Sequence, residues 1–200
     1  MNYFIIRNKK MPWGDYGNTL FRGFLNVMDK EFHDLVTPEL ERTGPYVPDM
    51  YIANTRDLVI KDKVRNIFED CNITGIESYR GINKKKIVRL NWEDWDQSLE
   101  NPQYYPPSGN PENYIIKGKH DESIAKSLPK FWNPQIAEQR VLKVVSKEKD
   151  WENFSHLKLC VEPCFDIVCS LPRIIVSERL KGILEANDIC SVNFIPIEYE

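Results

Sequence analysis

Hydrophobic positions along the chain fall into short continuous runs and stripes at three- and four-residue steps. Tyr3-Phe4-Ile5-Ile6 is a run of the first kind and predicts an opening strand. Leu20, Phe21, Phe24, Val27, Met28, Phe32 and Leu35 are a stripe. They predict a helix from Asn18 to Val36, with Asn18 or Thr19 as its cap and Pro38 just beyond its end. Gly and Pro between Thr43 and Asp49 mark a turn, and Met50 to Ala53 reads as a short strand. Tyr114–Lys117, Arg140–Ser146 and Leu157–Val161 also read as strands, the middle one being compatible with a helix as well. Between Asn91 and Asn113 there is no Lys or Arg, and Pro102, Pro106, Pro107 and Pro111 predict a long loop. That loop would join halves 1–90 and 113–200 of a single α+β domain, a mixed sheet with packed helices.

Laying residues 57–79 on residues 173–195 without a gap matches apolar character throughout. Leu58-Val59-Ile60 falls on Ile174-Ile175-Val176; Val64, Ile67 and Phe68 fall on Leu180, Ile183 and Leu184; Ile73 and Ile76 fall on Ile189 and Val192. Each copy spells a buried strand, a helix with one apolar face and a returning strand, so two pseudo-duplicated strand-helix-strand units are expected. Charges agree too: Asp62 with Glu178, Lys63 with Arg179, Arg65 with Lys181 and Glu69 with Glu185. Ser177 is a good cap for the second helix, whereas Lys61 cannot cap the first, which leaves Asp62 as the candidate there.

Composition narrows the classes. With 42% hydrophobic residues the 200-residue chain can bury an ordinary core, and 27 basic against 30 acidic residues leave a net charge of -3. That balance argues against a dedicated nucleic-acid binder. The opening apolar run is short and precedes its cations, the wrong order for a secretory signal, and no apolar stretch reaches the length of a membrane span. Five cysteines form no dense framework and fit free thiols in a cytoplasmic protein.

The run Leu171-Pro172-Arg173-Ile174-Ile175-Val176-Ser177-Glu178-Arg179-Leu180-Lys181-Gly182-Ile183-Leu184-Glu185, followed by Val192-Asn193-Phe194-Ile195-Pro196-Ile197, resembles the C-terminal module of bacterial polymorphic-toxin immunity proteins. There a buried strand leads into a Ser-Glu-Arg-Leu-Lys helix and then a strand ending Phe-x-Pro-hydrophobic. The first copy, with Pro48-Asp49 before it, fits the same layout over residues 48–79, departing from it at Lys61. The resemblance implies an α+β protein that binds and neutralises a cognate toxin. Being a fold signature, it brings no catalytic residue with it.

The residues themselves offer little to an enzyme. There is no Gly-rich phosphate loop, no His-Glu-x-x-His, no Gly-x-Ser-x-Gly, and no Lys with an acidic residue two positions before it. Of the three histidines, His33 falls near the end of the first predicted helix and His120 in a solvated loop. His156 precedes Cys160, Cys164 and Cys169 at spacings of three, three and four residues, which are not those of paired zinc knuckles, and core-like residues surround them. No cofactor or metal is expected. The alternative is a hydrolase or transferase with an unfamiliar acidic or Cys/His site, for which Asp94, Asp96 and Glu162 are the first suspects.

For a binding protein the candidate surface is the cation-free segment. Trp92, Glu93, Asp94, Trp95 and Asp96, with Tyr104 and Tyr105 further along, combine aromatic anchors with carboxylates that would steer a basic toxin. The other reading is that the tryptophans are buried and the carboxylates merely solubilise the loop. Trp13 with Tyr16 is a second candidate, and Lys84-Lys85-Lys86 reads as a solvated turn.

Overall fold

A computed structural model describes residues 2–9, 24–25, 37–43, 48–53, 57–89, 98 and 116–200. Their strands are β1 (Tyr3–Asn8), β2 (Phe24–Leu25), β3 (Glu39–Thr43), β4 (Met50–Ile52), β5 (Leu58–Lys61), β6 (Ile76–Gly81), β7 (Asn83–Val88), β8 (Phe131–Ile136), β9 (Leu142–Val144), β10 (Leu157–Leu159), β11 (Ile167–Ser170), β12 (Arg173–Ser177) and β13 (Val192–Ile197). The helices are α1 (Asp62–Asp70), α2 (Glu122–Ser127) and α3 (Glu178–Ala186). The fold is α+β.

Two four-stranded antiparallel sheets organise these elements, in the orders β4-β5-β8-β6 and β11-β12-β1-β13. They have one topology. A hairpin, β4-β5 or β11-β12, leads into a helix, and the chain returns as an edge strand, β6 or β13. Between the hairpin and the returning strand each sheet leaves a slot, filled by a strand from the far part of the chain: β8 in the first sheet and β1 in the second. The two inserted strands have the same sequence of buried and half-buried positions.

Both helices and both returning strands fall where the gapless alignment puts them. Val64 and Phe68 are buried on α1 as Leu180 and Leu184 are on α3. Each helix ends in the same Schellman arrangement: Asn72 and Asp188 take the left-handed conformation (φ 49° and 58°). The Ile73 N–H then donates to the Phe68 carbonyl at 2.9 Å, and that of Ile189 to Leu184 at 3.0 Å.

Alternation along the strands divides the core. Leu58 and Ile60, Ile174 and Val176, Ile6 and both helices share one central cluster. Val59 points the other way, with Tyr51 and Phe131, onto Leu40 and Ile87 and onto Ala125 and Leu128 of the α2 region. Tyr3, Ile5 and Ile175 point onto Leu142, Leu157 and Leu159 of the β9–β10 hairpin. Both faces of each sheet are therefore covered, which is why these strands read as unbroken apolar runs.

Several expectations change. The helix predicted over 18–36 falls mostly outside the described residues, but Phe24–Leu25 within it pair as a strand against Leu40–Glu41. Ile116 and Lys117, read as the end of a strand, lie in a helical turn, and the Lys84-Lys85-Lys86 turn is part of β7. Asp62 does not cap α1; its carboxylate accepts from the Trp132 indole N–H on β8. The strand at β8 was not expected, since Pro134 argues against a sheet interior. Only Phe131 and Trp132 pair with β5, and the Asn133 amide donates to the Leu58 carbonyl at 2.8 Å where the ladder stops.

Capping is unequal in the two copies. The Ser177 hydroxyl accepts from the Leu180 N–H at 3.1 Å, whereas Lys61 makes no cap bond. Ser177→Ala is expected to lose about 1–2 kcal/mol in denaturant unfolding, and Lys61→Ala less than about 1 kcal/mol, its amine contributing only a partly exposed ion pair to Asp49. Equal losses would show that the cap is immaterial.

Candidate partner-binding surface

The seven residues read as the binding face, Trp92, Glu93, Asp94, Trp95, Asp96, Tyr104 and Tyr105, lie outside the described residues, as do Trp13, Tyr16 and His33. What is described is the base from which their segment departs and to which it returns. Lys86 of β7 donates its amine to the Ile116 carbonyl at 2.9 Å, the Asp121 N–H donates to the Ile87 carbonyl at 2.7 Å, and Val88 bridges to His120. Lys84 reaches the last carbonyls of the α2 turn, Ala125 and Leu128, at 2.7 and 2.6 Å. That is where a cation complements a helix end. The amine also lies 5.8 Å from the Phe131 ring centroid, and burial lowers its pKa. The basic triplet is therefore a strand that fastens this base.

Among the described residues the histidines and cysteines are not brought together into a metal-binding group. His156 is buried, with Nδ1 accepting from the Asp150 N–H at 3.1 Å. His120 Nδ1 accepts from the Ile87 N–H at 3.0 Å. Cys160 and Cys164 are exposed free thiols, Cys169 is buried in β11, and Glu162 is exposed. Among the described residues no three His, Cys, Asp or Glu side chains form a group that could hold a metal ion.

Among the described residues the most densely bonded carboxylate is Asp166, at the start of β11. Oδ1 accepts from the Ser177 hydroxyl (2.9 Å), and Oδ2 from the Thr74 N–H (3.1 Å), the Thr74 hydroxyl (3.0 Å) and Arg179 Nη1 (2.6 Å). Burial pushes its pKa up, but these hydrogen bonds and the guanidinium outweigh that and hold it below the usual carboxylate range. Asp49 is its counterpart before β4, bonded to Lys61 at 3.0 Å and near Lys63 at 3.6 Å. Each Asp thus clamps the start of its own helix. Asp166 does more, because Thr74 belongs to the loop after α1 and Arg179 also donates to the Cys71 carbonyl. It is a structural rivet between the two units.

A surface feature not anticipated from the sequence lies in the β9–β10 connection. Trp151 is 53% exposed, while Phe154 and His156 beside it are buried. The Asp150 carboxylate closes the turn by accepting from the N–H groups of Glu152 and Asn153 and the Ser155 hydroxyl, at 2.9–3.0 Å. Those bonds depress its pKa. A lone Trp in a charged stretch has no periodicity to reveal it; the only signal was the Asp one residue before it and the Asn and Ser after, the composition of a tight turn.

No family model matches the chain, and no curated protein matches it. Among the described residues no helix is long and apolar enough to cross a membrane.

Proposed function

We propose that this chain is a cytoplasmic immunity protein that neutralises a cognate, basic toxin by binding it stoichiometrically, without turnover or a cofactor. The observation that supports this reading is the use made of the module that resembles immunity proteins. Its polar signature residues are consumed in architecture: Ser177 caps α3 and holds Asp166, while Arg179 joins Asp166 to the Cys71 carbonyl. A motif spent on the scaffold leaves function to the surface, which fits a binding protein. The acidic aromatic segment, rooted beside β7, is the face proposed to meet the toxin.

The reading is tested by growth rescue of cells expressing the toxin domain encoded beside this chain. Protection should survive His120→Gln, Cys160→Ser and Cys164→Ser together, and its loss in a folded variant would point to an enzyme. Combined charge reversal by Glu93→Lys, Asp94→Lys and Asp96→Lys should weaken the complex about tenfold at low salt and less at high salt, mostly through the association rate. Unchanged affinity would remove this segment from the interface.

A further inference from the structure

Among the described residues the elements of the first part of the chain recur, in the same order, in the second. A lead strand (β1 or β8), two short strands (β2 and β3, or β9 and β10), a hairpin (β4-β5 or β11-β12), a helix (α1 or α3) and an edge strand (β6 or β13) follow one another twice. The lead strands have changed places. β1 lies in the sheet of the second unit, and β8 in that of the first.

They lie there in one register. Tyr3 and Phe4 pair with Ser177 and Val176, while Phe131 and Trp132 pair with Lys61 and Ile60, which the gapless alignment puts at the same two positions. On the other side Asn8 pairs with Val192 and Ile136 with Ile76, again aligned positions. Beyond them the two ladders differ by one residue, because β6 has a bulge between Ile76 and Ser78. Contacts to the helices agree as well. The Arg65 guanidinium of α1 lies over the rings of Trp132 (4.1 Å) and Tyr79 (5.1 Å), and the Lys181 amine of α3 over those of Phe4 (5.2 Å) and Phe194 (5.9 Å). Each cation pairs with the glutamate one turn on, Glu69 or Glu185.

We propose that the chain is two interlocked halves, 1–90 and 113–200, each the receptor for the other's lead strand, which stay assembled without the residues that join them. Both lead strands are paired on two sides, so withdrawing either one leaves two rows of main-chain donors and acceptors without partners. The buried clusters also draw on both halves. Ile6 and Phe68 share one with Val176 and Leu184, Leu40 and Val59 another with Leu128 and Phe131, and Tyr3 and Ile5 a third with Leu157 and Ile175. The bonds from Thr74 to Asp166 and from the Ser191 hydroxyl to the Met50 carbonyl (2.6 Å) cross the same boundary. This inference does not depend on the immunity reading. Its consequence for that reading is that a cut within 91–113, the segment proposed to meet the toxin, leaves the scaffold standing.

The test uses the full chain with a site-specific protease sequence, flanked by Gly and Ser, inserted between Pro107 and Ser108 and cleaved to completion. At about 1 µM the cut protein should run as one species with the summed mass of both fragments, because a boundary that passes through the hydrophobic core resembles an obligate interface. Its melting temperature should rise with protein concentration, and that of the uncut chain should not. Amide exchange at Phe4–Ile6 and at Trp132 and Asn133 should stay as slow as before the cut. Fragments that separate in native buffer overturn the proposal. So does an assembled pair in which these amides exchange about 100-fold faster than in the uncut chain, since something other than the exchanged strands would then hold the halves.

Discussion

Replacing Gly75 by Ala is expected to destabilise the protein by about 3 kcal/mol or more, a large share of the ~5–15 kcal/mol that holds a domain folded. Gly75 has φ +97°, and a Cβ there would stand 2.0 Å from the Ile167 carbonyl oxygen and 2.8 Å from the Phe165 Cβ. The first of these neighbours is backbone and cannot swing away. Gly75 also accepts from the Ala137 N–H at 2.9 Å, so a shift would pull on β8 as well as on β11. Gly182→Ala is the matched control. Nothing lies within 4 Å of its added Cβ on α3, and it should gain about 0.5–1 kcal/mol from helix propensity. Chemical denaturation of the two variants checks both signs; a Gly75→Ala protein as stable as wild type would refute the close packing of the α1–β6 loop on β11.

The second large effect is expected at Asp166. Asp166→Ala removes the shared acceptor of the Thr74 N–H and hydroxyl, the Ser177 hydroxyl and Arg179 Nη1, and should cost about 3 kcal/mol. Asp49→Ala should cost about 1 kcal/mol or less, because that carboxylate is more exposed and, among the described residues, meets Lys61 and Lys63. The pH dependence has a definite sign. The native pKa of Asp166 lies below its unfolded value of about 3.9, so the unfolded chain binds the proton more readily. Its contribution is complete above that value and is lost as pH falls through the lower native pKa. Asp166→Asn should therefore flatten the acid limb of the stability curve while changing little of its shape above about pH 6. An acid limb that is unaltered in the variant would contradict the rivet.

What the sequence revealed was local, and what it concealed was pairing. The two strand-helix-strand units were legible because Leu58–Ile60 and Ile174–Val176 are covered on both faces and because Val64, Phe68, Leu180 and Leu184 keep helical spacing. Even Ile73 and Ile189, matched only as apolar positions, hold equivalent places one residue beyond a left-handed cap. The insertion of β1 into the C-terminal sheet and β8 into the other was not legible. An apolar run states that a strand is buried and not which strand lies beside it, and Pro134 further disguised β8. Lys84 and Lys86 hid a strand because their charges suggest solvent, although their amines end on main-chain carbonyls. The candidate site was legible only as composition: aromatic rings among carboxylates at 91–105 have no period from which a geometry follows, and Trp151 stood in a charged stretch whose turn chemistry could be read but whose exposure could not.

One measurement bears most directly on the functional account: titrating the activity of the adjacent toxin domain with the purified chain while following the mass of the species formed. Capture predicts that activity falls linearly to zero at one equivalent and that a single species with the summed mass accumulates, both proteins being recovered unchanged after dissociation. Full toxin activity in the presence of excess chain, or inactivation by a small fraction of an equivalent with a modified toxin as product, would contradict it.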